Sequence, residues 1–150
     1  IRPANTPKVW CNCSAISSAM KQIGFDQLPT DVLVSYLAGY AKVCAVATDM
    51  GDSQINNLGM KKTFEIYRVL RTRGMEAQAL LGKLLQDDDP SVRMAGALPA
   101  LEFAPEEAER VLEQIAATEQ RFVGLNAEML LENWRKGTLQ FPWSKKRRGN

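Results

Sequence analysis

The side chains able to do chemistry are few. The 150-residue chain contains no histidine, which removes the commonest general base and the commonest metal ligand together. Its cysteines are Cys11, Cys13 and Cys44. The Cys11-x-Cys13 pair lacks company for zinc, since a four-coordinate site needs two more soft ligands and only Cys44 is left. An odd cysteine count argues against a disulfide framework and for a reducing compartment. Two carboxylate groups stand out, Asp87-Asp88-Asp89 and the set Glu106, Glu107 and Glu109. Both fall where helices are expected to start, where the helix dipole stabilises negative charge without any catalytic duty. An acid/base pair needs unequal burial to separate its pKa values, and the three-Asp turn lacks the glycine and distal glutamate of a calcium loop. No glycine-rich phosphate loop, Ser/His/Asp triad or Cys/His pair occurs. The expectation is no catalytic residue, no metal and no cofactor.

Net charge is +2, from 19 basic and 17 acidic groups, but the signs are segregated. Residues 1–25 carry Arg2, Lys8 and Lys21 with no acid before Asp26, and Lys145-Lys146-Arg147-Arg148 adds four positive charges. Residues 26–144 hold 12 basic and 17 acidic groups, a net −5. A nucleic-acid footprint would need a basic body, so contact with nucleic acid is expected only through the Lys145–Arg148 run. That run also reads as a solvated tail.

The longest apolar run, Val32 to Ala41, stops after ten residues between Asp31 and Lys42, half of the twenty or so a membrane-crossing helix needs. The stretch from Val9 to Met20 contains Asn12, Ser14, Ser17 and Ser18 and is too polar for a signal-peptide core. A cytoplasmic protein without a membrane segment is expected, with Met20 a plausible natural start. Residues 1–27 read as a poorly structured leader, 28–138 as the folded domain and 139–150 as an unpacked basic tail.

What must position any functional group is helical. Apolar residues recur at helical spacing after residue 28, and strand-like alternation is missing. Leu33, Tyr36, Leu37, Tyr40 and Cys44 share one face, with Thr30 expected as N-cap. A second segment opens at Asp52, carries Ile55, Leu58, Ile66, Val69 and Leu70, and stops at Gly74. A third, residues 75–86, has Ala77, Leu80, Leu81, Leu84 and Leu85. Asp89 as N-cap and Pro90 at the first helical position open a fourth, which Pro99 is expected to kink. Pro105 opens a fifth with Ala108, Val111, Leu112 and Ile115. A sixth, with Asn126 expected as cap, carries Ala127, Leu130, Leu131 and Trp134 and ends at Lys136-Gly137. The linkers are short, as between antiparallel neighbours.

The run Leu84-Leu85-Gln86-Asp87-Asp88-Asp89-Pro90-Ser91-Val92-Arg93, followed by Gly96-Ala97, resembles the junction between the two helices of a HEAT repeat. Leu101 to Ala108 and the ending Trp134-Arg135-Lys136-Gly137 are similar to a small bacterial family of unknown function, with two leading helices and a short HEAT-like C-terminal half. The resemblance covers residues 30–138. It implies an all-α fold, a short right-handed α-solenoid or HEAT-like stack of about six helices. Asp89, Pro90, Val92 and Trp134 take structural roles in it. In such stacks the second helix of each pair lines the inner face, which makes Arg93, Met94, Glu128, Glu132 and Arg135 the partner-binding candidates.

The function expected is a non-enzymatic protein-interaction module, of immunity or adaptor type. The competing reading is a nucleic-acid-associated HEAT-like protein, or an enzyme using the surface carboxylates. HEAT-like DNA glycosylases would need a basic concave face with aromatics, against an acidic body and tryptophans, Trp10, Trp134 and Trp143, far apart in sequence. Self-association through Tyr36 and Tyr40 is a third possibility.

Overall fold

The computed structural model describes residues 24–141 and 143. Among them there are six α-helices and no strand: α1 (Thr30–Met50), α2 (Ser53–Thr72), α3 (Met75–Leu84), α4 (Pro90–Phe103), α5 (Pro105–Thr118) and α6 (Phe122–Lys136). The all-α fold class and the order of the segments are those the periodicity predicts. Residues 1–23, with Cys11, Cys13, Trp10 and Met20, and the basic run 145–148 lie outside the described residues.

Several helix ends follow from single residues. Asp52 Oδ1 accepts from the Ile55 amide at 3.1 Å and caps α2. Asp89 Oδ1 accepts from the Ser91 amide at 2.9 Å, with Pro90 leading α4 as predicted. Gly51 (φ 74°) and Gly137 (φ 73°) terminate α1 and α6 in the left-handed region that disfavours a Cβ. Helix α4 continues without a break through the buried Pro99.

Two predicted caps are corrected. Thr30 is the first residue of α1 and makes no cap, because Pro29 already holds the extended N-cap backbone. Its hydroxyl instead accepts from Arg73 at 3.0 Å, and Arg73 also donates to the Asp26 and Leu28 carbonyls. Asn126 lies inside α6, which starts a turn earlier at Phe122 behind Arg121. That start requires Gly124, since a Cβ there would collide with the Glu119 carbonyl.

The hydrophobic interior has two parts. Leu33 and Leu37 of α1, Ile66 and Leu70 of α2 and Leu81 of α3 form the first. Leu101 of α4, Leu112 and Ile115 of α5 and Leu131 of α6 form the second. Helix α4 joins them, giving Ala95 to one and Ala97 and Ala100 to the other. The small residues let it close on α3, where a Cβ on Gly96 would stand 2.8 Å from Leu84 Cβ. Consecutive helices pack in pairs, except that α3 docks chiefly on α1 and α4 rather than on α2. Helix α1 also meets α4 and α6.

Three further expectations are corrected here. The end of the segment read as leader carries structure: a 3-10 turn spans Phe25–Gln27, and Phe25 packs on the first core together with Leu28. The tail is packed as far as Trp143, because it carries apolar anchors. Leu139 and Phe141 cover the second core, and Trp143 covers the first. Phe141 stacks on Trp143 at 4.9 Å and meets Trp134 edge-on at 6.3 Å, so Trp134 and Trp143 belong to one aromatic chain. Finally, α1 runs past Lys42 to Met50 and is long and apolar enough to cross a membrane by length and composition. The ten-residue limit read from Val32 to Ala41 therefore understates it. In the fold its Leu33 and Leu37 are completely buried in the first core.

Candidate functional site

A cleft of about 530 Å³ lies between α1, α2, α4 and α6, with Leu139 of the tail at its edge. Its floor follows from helical spacing: Cys44 on α1, Thr63 and Tyr67 on α2, and Ser91 and Ala95 on α4 are all buried. Met60, Met94, Leu98, Val123, Met129 and Leu130 supply apolar walls. Among the described residues no charged side chain lines it.

Each hydroxyl of the floor already donates within the protein. Thr63 donates to the Gly59 carbonyl at 2.8 Å and Tyr67 to the Ala95 carbonyl at 2.7 Å. Ser91 donates to Asp89 Oδ1 at 2.6 Å. The Cys44 thiol points to the Asn56 carbonyl at 3.7 Å. Burial pushes the Cys44 thiol and the Tyr67 phenol above their ordinary pKa ranges, so both stay protonated and neutral. Asn56, Asn126 and Asn133 add neutral amide groups to the lining, so the surface combines apolar walls with a few uncharged polar groups, a lining suited to largely apolar contact.

Exposed apolar residues lie beside the cleft on α6 and away from it on α1. Val43, Val46 and Met50 of α1 repeat at i, i+3, i+7 on the face opposite Ala41, Cys44, Ala45 and Thr48, which line the cleft. On α6, Phe122, Leu125 and Met129 repeat at the same offsets and are each about half exposed. Ile55 and Leu58 on α2 are exposed as well. At the mouth, Arg121 at the start of α6 pairs with Asp49 in the last turn of α1 at 3.3 Å.

The predicted partner residues divide. Met94 lines the cleft. Arg93 is half-buried beside it in sequence, and its Nε is buried without a hydrogen-bond partner among the described residues. Glu128, Glu132 and Arg135 do not line the cleft. Arg135 pairs with Glu109 at 3.6 Å and with Glu113. Glu132 accepts from Lys136 at 2.6 Å, which holds its carboxyl below the usual range. The structural candidates act as predicted for the cap: Asp89 and Pro90 start α4, and Val92 is fully buried. Trp134 is half-buried and donates from Nε1 to Glu109 at 2.8 Å.

Nothing groups the carboxylates for chemistry. Asp87 accepts from the Asp89 amide at 2.9 Å and so serves the turn. Among the described residues no cluster of three or more Cys, Asp or Glu could hold a metal ion. Tyr36 and Tyr40 stack on each other at 6.4 Å, and both pack on the first core. Sequence reasoning missed the cleft because its walls come from helices that are distant in the chain. The signal that was legible is a second apolar stripe on α6, beyond the stripe it buries. No family model, no curated protein and no solved structure matches the chain.

Proposed function

We propose that the protein is a non-enzymatic interaction module, and that its working surface is the cleft with the exposed apolar stripe of α6 beside it. The occupant is the apolar face of a helix from a protein partner. The observation that carries this reading is the pairing of a groove lined by no charged side chain among the described residues with exposed apolar residues along its α6 wall. Phe122 and Met129 line the cleft and, with Leu125 beside them, are each about half exposed. A cavity of this volume alone would also suit a small molecule, but such a ligand would leave the α6 stripe in water. Exposed apolar residues grouped in this way mark a contact site, and a partner helix covers groove and stripe together. An adaptor or immunity-type protein built as a short right-handed HEAT-like stack would present such a surface. A bacterial, cytoplasmic setting belongs to the same proposal.

The reading is tested with a fluorescently labelled synthetic amphipathic helix, one face apolar at i, i+3, i+4 and i+7, followed by anisotropy. Met94→Glu and Met129→Glu each place a charge at the cleft. Each is expected to weaken binding at least about tenfold, equivalent to roughly 1.4 kcal/mol. Glu128→Gln, away from the cleft, is expected to leave it unchanged. No binding by the unaltered protein, or equal losses in all three variants, contradicts the proposal.

A further inference from the structure

Asp49 and Arg121 each occupy the wrong end of their own helix. Asp49 sits in the last turn of α1, beside the negative end of the dipole, where no basic residue offsets it. Arg121 is the N-cap of α6, beside the positive end, where no acid offsets it and no side chain caps the helix. Each placement is mildly unfavourable alone. What compensates each is the other, across 72 residues of sequence, at 3.3 Å. The two helix ends are thereby presented to each other with opposite dipoles and opposite charges. They meet at the mouth of the cleft, where Arg121, Asp49, Phe122 and Leu125 line a shallow depression. The remaining contact between α1 and α6 is sparse, whereas each packs extensively on its own partner, α2 or α5.

We infer that the Asp49–Arg121 pair is a latch that sets how far α6 stands from α1, and hence how readily the cleft admits its occupant. The Arg121 side chain is 79% exposed and that of Asp49 34%, so water and salt reach the pair and it holds only weakly. Weak holding suits a latch: salt, or charges carried by the incoming helix, release it. The inference rests on the cleft being the binding surface, but the latch itself is measurable without a partner.

Hydrogen exchange at Gly124 and Leu125, whose amides donate to the Arg121 carbonyl at 3.0 and 3.3 Å, reads the latch directly. Arg121→Gln and Asp49→Asn are each expected to speed exchange there about two- to fivefold at low salt, the range of an exposed pair. Salt is expected to speed the unaltered protein toward the same rate while leaving the variants unmoved. The double exchange Asp49→Arg with Arg121→Asp is expected to slow exchange again and restore salt sensitivity, since each charge then also suits its own helix dipole. Exchange that is unaffected by either single variant overturns the latch. Faster exchange in both single variants without recovery in the double exchange overturns the charge pairing as its cause. With the synthetic helix as probe, Arg121→Gln is expected to bind faster and without the salt dependence of the unaltered protein. Altered exchange combined with no peptide binding in any variant leaves the latch standing and fails the binding reading alone.

Discussion

Burial raises the pKa of Cys44 and its neighbours add no positive charge, so its thiol stays protonated at neutral pH. A protonated, buried thiol is a poor nucleophile. We expect iodoacetamide at neutral pH to leave Cys44 largely unmodified in the folded protein, and to modify it readily once denaturant is added. Mass mapping of the Cys44 peptide checks this, and fast alkylation under native conditions would mean that the cleft floor is wetter than the fold implies. The same side chain fixes its neighbour: a Cβ on Gly59 would lie 2.5 Å from the Cys44 sulfur, so α1 and α2 approach closely here only because that position has no side chain. Asp89, Pro90 and Asp52 were legible because a cap is a local event, read within three residues. Arg73 was not, because its acceptors near Thr30 lie more than forty positions away in sequence.

At the scale of elements, the tail is the informative case. Residues 139–150 read as unpacked because a short segment ending in four basic residues offers no helical period. Its aromatic residues nevertheless bridge the two cores. Trp143 meets Tyr67 edge-on at 5.5 Å and lies 5.7 Å beneath the Arg71 guanidinium, and Phe141 ties it to Trp134. Trp143→Ala is expected to destabilise the protein by about 2 kcal/mol, below the value for a fully buried aromatic because the residue is only partly buried. Urea denaturation followed by circular dichroism measures this. A loss under ~0.5 kcal/mol, the ordinary scatter of surface substitutions, would mean that the strap adds nothing to the cores. The helices themselves were readable from their buried stripes, since the 3.6-residue period survives without knowledge of neighbours. Their second, exposed stripes escaped notice: an apolar residue on the outer face looks like noise until a facing helix is known.

For the whole molecule, the all-α class follows from periodicity alone, whereas the arrangement does not. Nothing in the chain between residues 50 and 122 announces that α1 will meet α6, and it is that meeting which creates the cleft. The central claim is that the partner enters there. The methionines among the described residues offer reporters placed by the fold itself. Met60, Met94 and Met129 line the cleft, whereas Met75, 83% exposed at the start of α3, does not. With methionine methyl groups labelled, the NMR spectrum of the protein titrated with the synthetic amphipathic helix reads entry site by site. The account predicts saturable shifts at Met60, Met94 and Met129 and none at Met75. Shifts at Met75 without shifts at the three cleft methionines would contradict it.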